Sequence, residues 1–162
     1  MAEVESARGL LLMALRDLYD AEAALAERLP VVLAHASDAA FQRFIAADRA
    51  RSVRQHGDID CLTRNLGGDP SGEPCVWMRA VLDDSDNDAA TIAAGHLRDI
   101  ALVGALRKGK QSERVSYETA LALAERLDLA EAAATLRAIR DEEQAADDAL
   151  AGLLRELAQE VG

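Results

Sequence analysis

The stretch LRDLYDAEAAL, residues 15–25, carries the pattern that decides the fold. Leucines recur through it and around it at the spacing of one helix face, at Leu11, Leu15, Leu18, Leu25 and Leu29. The position missing from this stripe, between Leu18 and Leu25, is Glu22. A carboxylate in the middle of an apolar helix face is expected to lie inside the protein, where it needs a partner.

Composition favours a single all-helical domain. Half of the 162 residues are hydrophobic, but aromatic residues make up only 3% and there are three prolines. This balance favours helix over sheet. Because a chain of this length can bury a substantial core as one unit, we expect residues 1–162 to form one domain.

The charge balance narrows the range of partners. Asp and Glu outnumber Lys and Arg by 29 to 18, which gives a formal net charge of −11. Such a charge repels phosphate backbones and anionic headgroups, so we expect no nucleic acid and no membrane as partner. The sequence has no leader pattern and no apolar run of membrane-spanning length, which predicts a cytoplasmic protein. There, Cys61 and Cys75 are expected to be reduced and packed, since they form no spaced metal motif.

Two long helices are predicted in the first half of the chain. The first runs from about Glu5 to His35, with Pro30 inside it as a kink. The second follows an N-cap at Ser37 or Asp38 and ends at the glycines 67–68. The segment GGDPSGEP that follows is a loop signal.

The second half predicts a short helix and two long ones. The short helix covers residues 75–82, and the acidic run DDSDND after it predicts a break or a frayed stretch. A long helix then spans about 88–127, with an interruption near Gly95 or Leu97. The last helix begins at Asp128, which has a capping-box spacing to Glu131. Four long helices and a short one predict an antiparallel four-helix bundle with a short extra helix in the crossover.

The interruption seen at Glu22 recurs near the middle of every long helix. In the second helix the stripe passes from Gln55 to Arg51 or Ser52, and then to Asp48. Extended over all four helices, the pattern predicts one interior polar layer of Glu22, Arg51, Gln55, Lys110, Glu113, Glu143 and Asp147. The alternative is that the heptad pattern drifts by about 20° per heptad, which would bring some of these residues to the surface.

Acids that project from four helices into a bundle resemble the ligands of a di-iron or di-manganese site, which also uses histidines. No histidine falls in the predicted layer, because His56 points about 100° away from its neighbour Gln55. We therefore expect surface or peripheral core positions for His35, His56 and His96. No catalytic residue is assigned, because none of Ser112, Ser116, Cys61 and Cys75 has a His at helical spacing to act as a base.

Several motifs occur in order along the chain. They are LRDLYDAE followed by LP at residues 29–30, CVWMRAVL from Cys75, RDIALVGALRK from Arg98, SYETALALAERL from Ser116, and DEEQAADDAL from Asp141. With these motifs the chain resembles, over nearly its whole length, the YciE/YciF family of ferritin-like proteins of unknown function. The resemblance implies a ferritin-like bundle with a carboxylate-rich centre suited to two metal ions.

The resemblance also implies which residues occupy the metal positions. Glu22, Glu143 and Asp147 fall where members of that family carry acids of the first and last helices, and Glu113 matches an acid of helix four. The departures are Arg51, where the family usually has Glu, and Gln55, where it often has His or Gln. Lys110 and Gln111 stand where the family has Glu and His.

Two bases in place of two acids predict that the dinuclear site is lost. With Arg51 and Lys110 counted against the four acids, the layer sums to about −2 if every group is ionised. We expect both bases to pair with the acids, and we expect no cofactor. The predicted function is then structural, stress-related or partner-binding, and non-catalytic. The stress association, and a homodimer formed through an apolar face, follow from the resemblance alone.

Two other functions remain open at this point. One is an Fe- or Mn-dependent oxidase or peroxidase with a shifted or mononuclear site built from Glu22, Glu113, Glu143 and Asp147. The other is a binder of a small apolar ligand between Ala-rich helix faces. Trp77 and Met78 would then line a pocket, although we expect them to pack in the core.

Overall fold

The computed structural model describes residues 3–162 and contains five helices in this range. They are α1 (Ala7–His35), α2 (Ala39–Asn65), α3 (Val76–Thr91), α4 (His96–Arg126) and α5 (Ala130–Gln159). The described residues include no strand, so the all-helical prediction is confirmed. None of these helices is both long enough and apolar enough to cross a membrane.

The four long helices form two hairpins that pack against each other. Connections of three residues, 36–38 and 127–129, join α1 to α2 and α4 to α5. The hairpins meet where α1 contacts α4 and α2 contacts α5, while the shorter α3 packs on α4 and α1. This arrangement is the expected antiparallel four-helix bundle, with α3 in the crossover.

Two hydrogen-bonding devices hold the turn between α1 and α2. The side chain of Asp38 caps α2 by accepting a hydrogen bond of 2.9 Å from the Phe41 amide, as the sequence predicts. The carboxylate of the buried Asp99, on α4, accepts hydrogen bonds from the amides of Ser37 and Asp38 at 2.9 and 2.8 Å. Asp99 therefore ties the first hairpin to the second.

The predicted break after residue 82 is wrong, because α3 continues through DDSDND to Thr91. Leu82, Ser85 and Ala89 are buried in succession on one helix face, so this face stays in contact with the bundle. Two of the aspartates in the run, Asp83 and Asp86, form ion pairs with Arg28 of α1 at 2.7 Å. The acidic side chains of the run therefore lie on the exposed side of a packed helix.

The predicted capping box at Asp128 is also wrong. Asp128 has a φ of 56°, and α5 begins two residues later at Ala130, with Leu129 at its N-cap and no side-chain cap. The amide of Leu129 donates to the Ala124 carbonyl and that of Asp128 to the Glu125 carbonyl. This pair of bonds is a Schellman motif, so Asp128 ends α4 rather than beginning α5. An aspartate takes the left-handed position that glycine usually takes.

The bundle has two apolar clusters, and buried polar residues separate them on every long helix. One cluster includes Leu25, Leu29, Phe41, Ile45, Met78, Leu82, Leu102, Leu106 and Leu150. The other includes Leu11, Leu15, Leu18, Ile59, Tyr117, Leu121, Leu136 and Ile139. Between them along α1 lies Glu22, and the corresponding positions in the other three long helices are also polar.

The two cysteines differ in environment. Both are free thiols, and Cys75 is buried beside the start of α3. Cys61 is exposed, so the expectation that it is packed is wrong. On α2 the core positions are Ile59 and Leu62, and Cys61 falls between them on the outer side of the helix.

Candidate functional site

Four acids and one lysine meet between the two apolar clusters. Glu22 of α1, Asp48 of α2, Lys110 and Glu113 of α4, and Glu143 of α5 are each at most 1% exposed. We call these five residues the buried carboxylate cluster. Each long helix contributes at least one member at its middle, because the polar position replaces an apolar one in the same helical stripe.

Lys110 lies in the middle of this cluster. Its ammonium nitrogen is 2.8 Å from Oε2 of Glu143, 3.0 Å from Oδ1 of Asp48 and 3.0 Å from Oε2 of Glu113. One cation thus contacts acids from α2, α4 and α5. The contact to Glu143 is a hydrogen bond, and those to Asp48 and Glu113 are ion pairs.

The fourth acid, Glu22, is held by a tyrosine of α4. The hydroxyl of the fully buried Tyr117 donates a hydrogen bond of 2.7 Å to Oε1 of Glu22. Several buried oxygens of the layer still have no hydrogen-bond partner among the described residues. They are Glu22 Oε2, Asp48 Oδ2, Ser52 Oγ, Gln55 Oε1, both carboxylate oxygens of Glu113, and Glu143 Oε1.

Burial makes several of these acids weaker than usual. It raises the pKa of Glu22 to about 7, with a further contribution from the charge of Glu143. Burial also raises the pKa of Asp48, and that of Glu113 well above its usual range. Burial would raise the pKa of Glu143 too, but the Lys110 ammonium outweighs it and holds that pKa below its ordinary value. The acids therefore share protons, and Glu143 is the ionised partner of Lys110.

Lys110 itself stays charged. Burial alone would lower its pKa, but Asp48, Glu113 and Glu143 surround the ammonium and raise the pKa well above its ordinary value. Losing the proton from Lys110 would leave these acids without their cation. The centre of the bundle therefore holds a permanent positive charge at neutral pH.

Arg51 lies outside the cluster, which corrects its predicted interior position. Its side chain is 23% exposed, and its guanidinium reaches Oδ1 of the buried Asp48 at 2.7 Å from the rim. The buried stripe of α2 runs through Ile45, Asp48, Ser52 and Gln55, at steps of three and four residues, and it passes beside Arg51. The sequence pattern contained this stripe, but it left the choice between Arg51 and its neighbours open.

Asp147 and Gln55 lie at the edges of the layer. The carboxylate of Asp147 pairs with Arg107 at 2.8 Å and also accepts from Gln111. The amide of Gln55 donates to Oε2 of Glu142 at 3.0 Å. Asp147 is thus held by outward-facing partners, and it does not join the buried carboxylate cluster.

Asp48 and Tyr117 are two members of the layer that were not assigned a site role from the sequence. Asp48 appeared in the stripe of α2, and only its spacing to Ile45 and Ser52 distinguishes it from Arg51. Tyr117 reads as an ordinary apolar position, because nothing in the sequence shows that its hydroxyl meets Glu22 of another helix. His56 is peripheral and stacks on Tyr19, with ring centroids 4.1 Å apart.

The cluster does not fit the pair of divalent metal ions that the fold suggests. Bundle sites of this kind use a Glu from each of two helices and a carboxylate with a His from each of the others. Here the Lys110 ammonium contacts three of the four acids, and no histidine belongs to the cluster. Oxygens of Glu22, Glu113 and Glu143 do lie within 4.8 Å of one another, which is the geometry of a smaller, three-acid group.

Comparison with known proteins gives consistent matches over most of the chain. Residues 6–161 match the family model described as Domain of unknown function (DUF892). Protein YciF of Escherichia coli K12 is 27% identical over 143 residues, which cover 86% of this chain and 84% of that protein.

Two solved structures share the fold over nearly their whole length. The crystal structure of the E. coli stress protein YciF has a TM-score of 0.92 and 24% identity, and the match covers 97% of this chain and 99% of that one. YcfI of Rhodopseudomonas palustris, proposed to be a structural protein, has a TM-score of 0.87 and 27% identity, with coverages of 91% and 94%. The fold is therefore ferritin-like, as expected. The motifs of the sequence predicted YciF-type proteins of unknown function as relatives, and the match to YciF confirms this prediction. The chain belongs to the DUF892 family.

Proposed function

We propose that this protein is a non-catalytic, structural ferritin-like bundle in which the Lys110 ammonium replaces the metal ions of a dinuclear site. The observation that carries the proposal is the position of the Lys110 nitrogen, within 3.0 Å of oxygens from three buried acids. A divalent ion placed there would meet a fixed positive charge at the same oxygens.

The electrostatic argument follows from the burial of the cluster. Four buried acids with no cation would repel one another, and in related site designs metal ions remove that repulsion. Here Lys110 supplies one positive charge, and Arg51 adds a second where it contacts Asp48 at the rim of the layer. The raised pKa values of Glu22 and Glu113 let bound protons neutralise the remaining negative charge. The layer can therefore be stable without a metal ion. In this revised form of the hypothesis Lys110, and not Arg51, takes the central position.

Relatives support a structural or stress-related role. The E. coli protein YciF is described as a stress protein, and YcfI is proposed to be structural. We extend both descriptions to this chain as part of the proposal. A homodimer belongs to the same proposal, and native mass measurement at micromolar concentration tests it directly.

A second candidate function rests on the three-acid group. Glu22, Glu113 and Glu143 could offer oxygens to one Fe or Mn ion of an oxidase or peroxidase, since these oxygens lie within 4.8 Å of one another. Asp147 would not take part, because Arg107 and Gln111 hold its carboxylate. This function requires Lys110 to move away from Glu113 and Glu143.

Metal titration separates the two functions. Three proteins would be purified without added metal: wild type, Lys110→Glu and Arg51→Glu. Each would be analysed for metal content and titrated anaerobically with Fe(II) and Mn(II). Arg51→Glu is the matched control, because it makes the same charge change at the rim of the layer. We expect stoichiometric binding by Lys110→Glu only, with a thermal stabilisation equivalent to about 3 kcal/mol when the free metal is about 100-fold above its Kd.

The wild-type titration decides the outcome even if the Lys110→Glu variant fails to fold. Stoichiometric Fe(II) or Mn(II) binding by wild type, with a rise in its melting temperature, would overturn the proposal and favour the oxidase or peroxidase. Absence of any metal-dependent change in the wild-type melting temperature supports the metal-free bundle.

A further inference from the structure

An open cavity beside α1 and α4 is lined by no member of the buried carboxylate cluster and takes no part in the proposed function. It has a volume of about 910 Å³ and is bounded by α1, α4 and the segment 69–77 that leads into α3. This volume falls in the range of small-molecule sites, about 300 to 1,000 Å³.

The walls of the cavity gather most of the exposed apolar side chains of the described residues. The large hydrophobic residues that are exposed and line it are Val4, Leu10, Met13, Val76 and Val115. Those that are exposed elsewhere are Val31, Val53 and Leu97. Single exposed hydrophobic residues are common on protein surfaces, but a group of them around one concave surface indicates a binding site for an apolar ligand or partner.

The charged groups at the rim are mainly acidic. Asp17, Asp69 and Glu73 line the cavity with a single base, Arg16, which leaves a net charge of −2 when all four are ionised. The partners of two of these acids are neutral donors: Asp17 accepts the indole N–H of Trp77 at 2.7 Å, and Asp69 accepts from Ser71. Neutral donors orient a carboxylate without cancelling its charge.

We propose that this cavity binds an amphipathic organic cation, such as an alkyl or aryl ammonium compound. The apolar part of the ligand would cover Leu10, Met13 and Val115, and its cationic group would lie near the acids and the Trp77 ring. Aromatic side chains together with acids are the groups that recognise quaternary ammonium ions. The net charge of −11 on the whole chain concentrates cations and repels anions of the same apolar shape.

Trp77 provides a direct readout, because it is the only tryptophan in the chain and it lines the cavity. Its fluorescence would be followed during titration with octyltrimethylammonium and, separately, with octanoate. Both probes have a chain of eight carbons, counting the carboxyl carbon of octanoate, and they carry opposite charges. We expect saturable binding of the cation, about tenfold tighter than that of the anion, and weaker binding in high salt.

A matched pair of variants locates the binding. Val115 and Val53 are both exposed valines on long helices, at 52% and 50%, but only Val115 lines the cavity. Val115→Lys should weaken octyltrimethylammonium binding by at least about tenfold, because it adds a positive charge and removes an apolar contact. Val53→Lys makes the same change outside the cavity and should leave the affinity unchanged.

Three results would overturn the proposal. The first is equal affinity for octanoate and octyltrimethylammonium, and the second is an equal loss of binding in Val53→Lys and Val115→Lys. The third is a native dimer that Val115→Lys dissociates while neither probe changes Trp77 fluorescence. That last result would show that a second copy of the chain covers the cavity.

Discussion

Lys110 Nζ and Glu143 Oε2 lie 2.8 Å apart at the centre of the bundle, and both residues are at most 1% exposed. This charged hydrogen bond joins α4 to α5 between the two apolar clusters. Because the same ammonium contacts Asp48 of α2, one nitrogen connects three of the four long helices. We infer that these contacts help to select one register of helices that apolar side chains alone could pack in more than one.

Replacing the central cation should strongly destabilise the fold. Lys110→Met keeps an unbranched side chain as far as the ε-carbon but removes the ammonium group that contacts Asp48 and Glu143. Breaking a buried ion pair in this way costs about 3 to 5 kcal/mol. Urea unfolding at pH 8, where the acids are most ionised, should show this loss in the free energy of unfolding.

Arg51→Met is the matched control for that loss. Its guanidinium is partly exposed, and Asp48 keeps Lys110 when Arg51 is removed. The expected loss is at most about 1 kcal/mol. Equal destabilisation by the two substitutions would contradict the central position of Lys110.

Stability should fall as the pH rises through neutrality. Burial raises the pKa of Glu22 to about 7 in the folded chain, so the folded state holds this proton more tightly than the unfolded state does. Such a group contributes stability that is complete below its unfolded pKa and is lost as the pH rises through its folded pKa. Glu113 shifts in the same direction, so the titration belongs to the coupled cluster.

The corresponding experiment compares the free energy of unfolding at pH 5.5 and pH 8.5. Wild type should lose about 2 to 3 kcal/mol over this interval. Glu22→Gln should reduce the loss, because the amide does not titrate and its oxygen can still accept from Tyr117. Glu156→Gln, at an exposed position of α5, should retain the wild-type pH dependence. A Glu22→Gln profile parallel to that of wild type would contradict this assignment.

The Tyr117 hydroxyl should contribute measurably to stability. Tyr117→Phe removes the donor to Oε1 of Glu22 and leaves a second buried oxygen of that carboxylate without a partner. The expected loss is about 1 to 3 kcal/mol by chemical unfolding. Tyr19→Phe is the control, since Tyr19 is half-buried and its ring stacks on His56, and it should change stability by less than about 0.5 kcal/mol. Similar losses of unfolding free energy in both variants would show that the hydrogen bond from Tyr117 to Glu22 makes no specific contribution to stability.

Helix periodicity predicted the bundle well because each long helix has one continuous core stripe. The same stripes bring Glu22, Lys110, Glu113 and Glu143 to one level, since each replaces an apolar residue at a core position. Periodicity could not choose between the neighbours Arg51 and Ser52, which both lie at helical spacing from Gln55 and Asp48. A long side chain at the rim and a short one in the core satisfy the same spacing.

Helix ends were harder to predict than helix faces. The run DDSDND looks like a loop by composition, but Ser85 and Ala89 keep α3 packed on the bundle. Asp128 looks like an N-cap by spacing, but its backbone conformation belongs to the end of α4. In both cases tertiary packing and the preceding helix decide the structure, and neither is visible in a short window of sequence.

The two thiols should react at very different rates. Burial raises the pKa of Cys75 to about 12, and the nearby Asp17 adds to the shift, so the thiolate is scarce at neutral pH. Cys61 is exposed on α2. Native protein should therefore react rapidly with dithiobis(nitrobenzoate) at one thiol per chain, and at the second only after unfolding. Cys61→Ser should abolish the rapid phase, and Cys75→Ser should leave it intact. Rapid labelling of Cys75 in the native Cys61→Ser variant would contradict this prediction, because it would show that the start of α3 opens readily.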